Sequence, residues 1–171
     1  RRASIQGEIQ KVMSTSLLPE HANALATFDH VPRTRLVFGN GRAAHAGELS
    51  AELGLERILL VTDPGIVRAG HAAKVRDSLE IAGLEVIVFD EVVENPTTDC
   101  VERCKQMAGE GGIDSFLGLG GGSSMDTAKG ANFLLTNGGR MQDYWGTGLA
   151  KREMLPLIVI PTTAGTGSEC Q

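Results

Sequence analysis

The sequence predicts an α/β fold, with a largely parallel sheet and helices on its flanks. Three observations predict it. From residue 33 onward, short apolar runs alternate with longer stretches of helical periodicity. The run "ILLV" (58–61) is apolar without interruption, as a strand buried on both faces requires. The loops between runs are short and often closed by glycine, which suits crossovers between parallel strands.

The elements follow in order. Residues 1–30 read as an N-terminal tail or docking helix, with Ile5, Ile9, Val12 and Met13 on one stripe and Pro19 ending it. The chain opens on arginine, so a processed or trimmed start, or a fragment, is expected. Residues 31–171 read as one α/β domain, incomplete at its C-terminal end. "RTRLVFG" (33–39) is a predicted strand, and "GRAAHAGELSAELG" (41–54) a helix stopped by Gly54. "ERILLVTD" (56–63) is a strand. "GHAAKVRDSLEIAG" (70–83) is a helix with Ala72, Val75, Leu79 and Ala82 on one face. Strand "LEVIVFDEV" (84–92), helix "TTDCVERCKQMAGE" (97–110), strand "DSFLGLGG" (114–121), helix "SSMDTAKGANFLLTN" (123–137) and strand "LPLIVIPTT" (155–163) complete the alternation. The pattern is Rossmann-like.

Bulk numbers bound the function. A net charge of −5 argues against a nucleic-acid surface, which needs clustered Lys and Arg. The sequence has no apolar run of about 18 residues, so no membrane-spanning helix is expected. Three cysteines are too few and too oddly counted for a disulfide framework. Cys100 and Cys104, four apart on a helix, read as buried thiols, and the chain reads as cytoplasmic. Glycine is the outlier, at 22 of 171 residues, against a usual share of about 7%. Much of it gathers at strand ends, where ligands approach.

Two stretches carry chemistry. "GLGGGSSMDTAKG" (118–130) is strand, then Gly120-Gly121-Gly122, then helix. Such a turn offers unpaired backbone N–H groups at the positive end of a helix dipole, which suits phosphate oxygens. Ser123 or Ser124 is expected to cap the helix, and Ser123-x-x-Asp126 fits a capping box. The pattern lacks the third glycine of the usual dinucleotide fingerprint, and Lys129 does not fit a Walker loop. Asp63 ends a strand upstream, where a carboxylate accepts ribose hydroxyls. It equally suits the turn "DPG". The second stretch, "IPTTAGTGSE" (160–169), sets Thr162, Thr163, Thr166 and Ser168 among Gly165 and Gly167 at another strand end. Tyr144 and Trp145, in the loop 138–154, read as a surface turn, with a substrate-side wall as the alternative.

These motifs resemble the iron-containing (group III) alcohol dehydrogenases. The resemblance covers about residues 33–171 and rests on "FGNG" (38–41), "LLVTD" (59–63), "NPT" (95–97), "GLGGGSSMDTAK" (118–129) and "IPTTAGTGSE" (160–169), in the family's order. It implies an N-terminal α/β domain that binds NAD(P) and a helical C-terminal domain that holds Fe²⁺ or Zn²⁺. It further implies that Gly121, Gly122 and Ser123 hold the pyrophosphate, and that Asp63 faces the adenosine ribose and favours NAD over NADP. Asn95 and Pro96 would lie near the adenosine, Asp126 towards the nicotinamide, and Thr162, Thr163 and Gly167 against the cofactor. The substrate implied is a small alcohol or aldehyde, and a second copy of the chain is an admissible partner. The family's metal ligands follow "GTGSE", so none is expected on this chain. His21, His30, His45 and His71 lack ligand spacing. The expected function is therefore the nucleotide-binding half of a metal-dependent alcohol dehydrogenase. The alternatives are a non-catalytic nucleotide-binding module, or an enzyme like dehydroquinate synthase or glycerol dehydrogenase. "TTAGTGSE" argues against the last.

Overall fold

The computed structural model describes residues 34–170. The expected N-terminal helix or tail of residues 1–30 lies outside the described residues. A 3₁₀ turn, Arg42–His45, leads into α1 (Ala46–Glu52). Then come β1 (Arg57–Val61), α2 (Pro64–Arg68), α3 (His71–Ile81), β2 (Glu85–Phe89) and α4 (Thr98–Gly111). β3 (Ser115–Gly120), α5 (Gly122–Asn137), a 3₁₀ turn at Met141–Tyr144, β4 (Leu157–Pro161) and a 3₁₀ turn at Ser168–Cys170 follow.

The four strands form one parallel sheet in the order β2-β1-β3-β4. The α/β, Rossmann-like expectation is met. Strand side chains alternate between faces, and the two faces build two cores. Leu59, Val61, Phe89 and Phe116 point to one side, where they meet Cys100, Cys104 and Ala108 of α4 and Ala128, Ala131 and Leu134 of α5. Ile58, Leu60, Leu117 and Leu119 point to the other, against Ala46 of α1 and Ala72, Val75 and Leu79 of α3. The result is a sheet sandwiched between two helical layers, which is why β1 and β3 carry no polar alternation. α5 lies close on β3: a Cβ at Gly118 would stand 3.3 Å from the Met125 Cα. Asn132, fully buried on α5, donates to the Leu155 carbonyl at 2.8 Å and accepts from the Leu155 N–H at 2.9 Å. It thereby fixes the entry to β4.

Two expectations about elements need correction. Residues 34–39 form no backbone ladder among the described residues, and Leu36 and Phe38 are 84% and 93% exposed. Apolar propensity made this segment a strand on paper, but a strand needs a partner. β2 and β4 edge the sheet, and neither is paired with it. The tripeptide "DPG" (63–65), read as suiting a turn, opens a short helix, Pro64–Arg68, capped by Asp63.

Candidate functional site

The strand order places the site. β1 is followed in sequence by β2 on one side of it, while β3 and β4 lie on the other. The crossovers therefore diverge between β1 and β3, which leaves a crevice at their C-terminal ends. Two of the sequence motifs, Asp63 and Gly120–Gly122, leave their strands there.

Asp63 follows β1. Its Oδ1 accepts from the Gly65 and Ile66 N–H groups at 2.8 and 3.1 Å, so it is the N-cap of α2. Its Oδ2 faces across the crevice and accepts from the Ser124 hydroxyl at 3.4 Å. One carboxylate thus joins the exit of β1 to the start of α5. Gly120, at φ +143°, permits this approach: a Cβ there would meet Ser124 Oγ at 2.5 Å and Asp63 Oδ2 at 3.1 Å.

The start of α5 departs from the expected capping box. Its N-cap is Gly121, and there is no side-chain cap hydrogen bond. Ser123 instead accepts the Asn95 N–H at 3.3 Å, and Ser124 is turned to Asp63. The first turn also holds no acidic residue. By contrast Asp63 caps α2, and Thr97 Oγ1 accepts the Cys100 N–H of α4 at 3.4 Å. A helix start with no side-chain cap, and with no acid among its own first-turn residues, leaves N–H donors suited to oxygen atoms of an anion. Asn95, at φ +50°, brings the loop with Pro96 against Ser123.

The second glycine stretch lies over the first. The Thr162 N–H donates to the Gly120 carbonyl at 2.8 Å, extending the β3–β4 ladder. Thr163 Oγ1 lies 3.4 Å from where a Gly121 Cβ would be. Thr166 Cβ and Ser168 Oγ lie 3.2 and 3.1 Å from a Gly122 Cβ position. Ser168 donates to Asp126 Oδ2 at 3.2 Å, and the Lys129 ammonium donates to the Ser168 carbonyl. Gly167, at φ +71°, turns the chain into Ser168, and its carbonyl accepts from Cys170 N–H at 3.0 Å.

The sequence-derived residues Asp63, Asn95, Pro96, Gly121, Gly122, Ser123, Asp126, Thr162, Thr163 and Gly167 therefore converge on one end of the sheet. Sequence reasoning picked out Gly120, Ser124, Thr166 and Ser168 within their own stretches but not their mutual contacts, and it gave Lys129 no part in the site. The tripeptide Gly120–Gly122 signalled the turn, but not which glycine each neighbour presses upon. Tyr144 stands apart: its hydroxyl donates to the Asn137 and Gly138 carbonyls, both at 3.0 Å, and its ring edge meets Phe133. It closes the end of α5, as a surface turn would, while Trp145 is 82% exposed.

The chemistry of this donor set fits a dinucleotide: free N–H groups and small residues for the pyrophosphate, hydroxyls nearby, and an acid at the end of β1. It does not fit a metal. Among the described residues no group of three or more His, Cys, Asp or Glu is placed to hold an ion. No described helix is long and apolar enough to cross a membrane.

Comparison with known proteins gives a consistent result. The family profile described as iron-containing alcohol dehydrogenase matches residues 32–171. A choline dehydrogenase of Bacillus subtilis is 40% identical over 160 residues, covering 92% of this chain and 39% of that protein. Alcohol dehydrogenase 4 of Schizosaccharomyces pombe is 41% identical over 140 residues, covering 82% and 33%. Among solved structures, a sulfoacetaldehyde reductase of Bifidobacterium kashiwanohense in complex with NAD+ superposes with a TM-score of 0.73 at 32% identity, covering 84% of this chain and 38% of that one. The chain thus spans well under half the length of the relatives it matches.

Proposed function

Because the chain belongs to the iron-containing alcohol dehydrogenase family, we propose that residues 31–171 are the nucleotide-binding portion of an NAD-dependent alcohol dehydrogenase. The observation that carries the proposal is the uncapped start of α5 at Gly121 and Gly122, roofed by Thr163 and Thr166. Bound NAD would supply the hydride acceptor for oxidation of a small alcohol, or as NADH the donor for the aldehyde. This chain's residues bind and orient it. The first N–H groups of α5 take pyrophosphate oxygens, where glycine keeps any Cβ out of the way. The threonine hydroxyls above them supply further donors. The Oδ2 of Asp63, beyond its long bond from Ser124, accepts the adenosine ribose hydroxyls, and Asn95 and Pro96 border the adenosine.

The metal of the family, Fe²⁺ or Zn²⁺, finds no ligand set among the described residues. The names of the relatives run from choline to sulfoacetaldehyde, so the substrate class proposed is a small alcohol or aldehyde. Free thiols at Cys100, Cys104 and Cys170 support a reducing, cytoplasmic location.

Equilibrium dialysis of the purified chain against NAD tests the reading, with Gly122→Ala as the variant. The added methyl must push Ser168 and Thr166 away, and overpacking of this kind costs about 1–3 kcal/mol. Saturable binding weakened about tenfold or more by the variant is expected. Equal Kd values for both proteins would remove the turn from the site.

A further inference from the structure

We propose that Asp126 and Lys129 are positioning residues that clamp Ser168, and so hold the Thr163–Gly167 strap over the start of α5. The inference rests on the nucleotide-binding reading and changes the role of Asp126 within it, from a group facing the cofactor to one acting through the loop.

The geometry is specific. Residues three apart on a helix share a face, and here both reach one loop residue. Ser168 gives its hydroxyl hydrogen to Asp126 Oδ2 at 3.2 Å, and its carbonyl oxygen accepts from the Lys129 ammonium. Hydroxyl and backbone are thus fixed together. Ser168 is 4% exposed, while Thr162 to Thr166 are exposed. The other end of the strap is fixed by Thr162, which pairs with Gly120. Between the two anchors stand Gly165 and Gly167, at φ +91° and +71°. Glycine makes that path accessible and leaves it entropically loose. Order must come from the anchors, and the clamp is the one made by side chains. A loose strap would have to be ordered by the nucleotide itself, at the expense of affinity.

Lys129 is also the natural candidate for a direct phosphate contact, since it lies two turns into a helix that starts at the turn. Its ammonium donates to the Ser168 carbonyl, and in the proposed clamp it acts through this contact. The two roles differ in coupling. Groups that act through one strap release it once, so their losses do not add, whereas independent contacts add.

The experiment uses the whole chain with NAD as the probe. Lys129→Met, Lys129→Arg, Asp126→Ala and the Lys129→Met/Asp126→Ala pair are compared by equilibrium dialysis. Hydrogen exchange of amides 163–168 is followed without nucleotide. The expected result is a Kd raised about tenfold in each of Lys129→Met and Asp126→Ala, and about the same in the pair. Lys129→Arg recovers most of the affinity, and strap amides exchange faster wherever the clamp is cut. A pair near a hundredfold, with unchanged strap exchange, would make both residues direct contacts and overturn the proposal. So would variants that bind like the wild type. A wild-type chain that fails to bind NAD at all overturns the nucleotide reading itself, which a failure of the clamp alone would leave standing.

Discussion

Asp63 is used twice by one side chain. Oδ1 caps α2 through the Gly65 and Ile66 N–H groups, and Oδ2 lies towards Ser124 at the start of α5. The dipeptide "DP" made a turn legible, and the position at a strand end made a ribose acceptor legible. The cap was not, because a five-residue helix is too short to show periodicity. The distinction decides which variant is informative. Asp63→Gly would change cap and charge together, whereas asparagine caps as well as aspartate. Asp63→Asn is therefore expected to leave the melting temperature within a few degrees of wild type. It loses the charge-assisted bond to a ribose hydroxyl, worth about 1.5–3 kcal/mol against about 0.5–1.5 for a neutral bond. It also loses the repulsion of a 2′-phosphate. The ratio of NADP to NAD dissociation constants should fall by about tenfold, read by dialysis of both cofactors. An unchanged ratio would leave Asp63 a cap and nothing more. Ser123 and Ser124 show the opposite limit of reading by residue. A serine at a helix start is a good local cap, yet Asn95 and Asp63, far away in sequence, claim both hydroxyls.

Elements were legible where burial wrote a continuous signal. β1 and β3 are buried along nearly their whole length, and their apolar runs placed them to within a few residues. α3 and α4 showed their core faces through helical spacing. Residues 36–39 misled because β propensity reports a side chain's fitness for a sheet, not the presence of a neighbouring strand. α4 also carries a titration. Burial, then the neighbouring Cys100, pushes the Cys104 thiol up to about 12 from an ordinary 9.0. The folded state therefore holds this proton more tightly than the unfolded chain. The stability this contributes is full below about pH 9 and is lost as pH rises towards 12. Thermal melts should show an alkaline decline in that window that is shallower in Cys104→Ala. At neutral pH native Cys104 should resist a thiol reagent that modifies exposed Cys170 at once. Rapid modification of Cys104 in the folded chain would contradict its burial.

At the scale of the whole molecule, the site comes from strand order. The sequence announced two glycine-rich turns after two strands, but not that these strands are neighbours. β3 pairs with β1 on one edge and β4 on the other, so that Asp63, Gly120–Gly122 and Thr162–Ser168 meet at one end of the sheet. Pairing of this kind is set by long-range packing, which local pattern does not encode. The family resemblance supplied the convergence that spacing alone left open. The same topology separates this crevice from the groove between α1 and α3, lined by Ala44, Glu48, Lys74 and Ile81, which opens elsewhere on the surface. In a titration of the ¹⁵N-labelled chain with NAD, amide resonances of Gly121, Gly122, Ser123, Asn95, Thr163 and Gly167 should shift together and saturate with a single Kd. Amides of Glu48, Lys74 and Ile81 should stay in place. Saturable shifts confined to that groove, or none at Gly121–Ser123, would contradict the assignment of the α5 start as the nucleotide site.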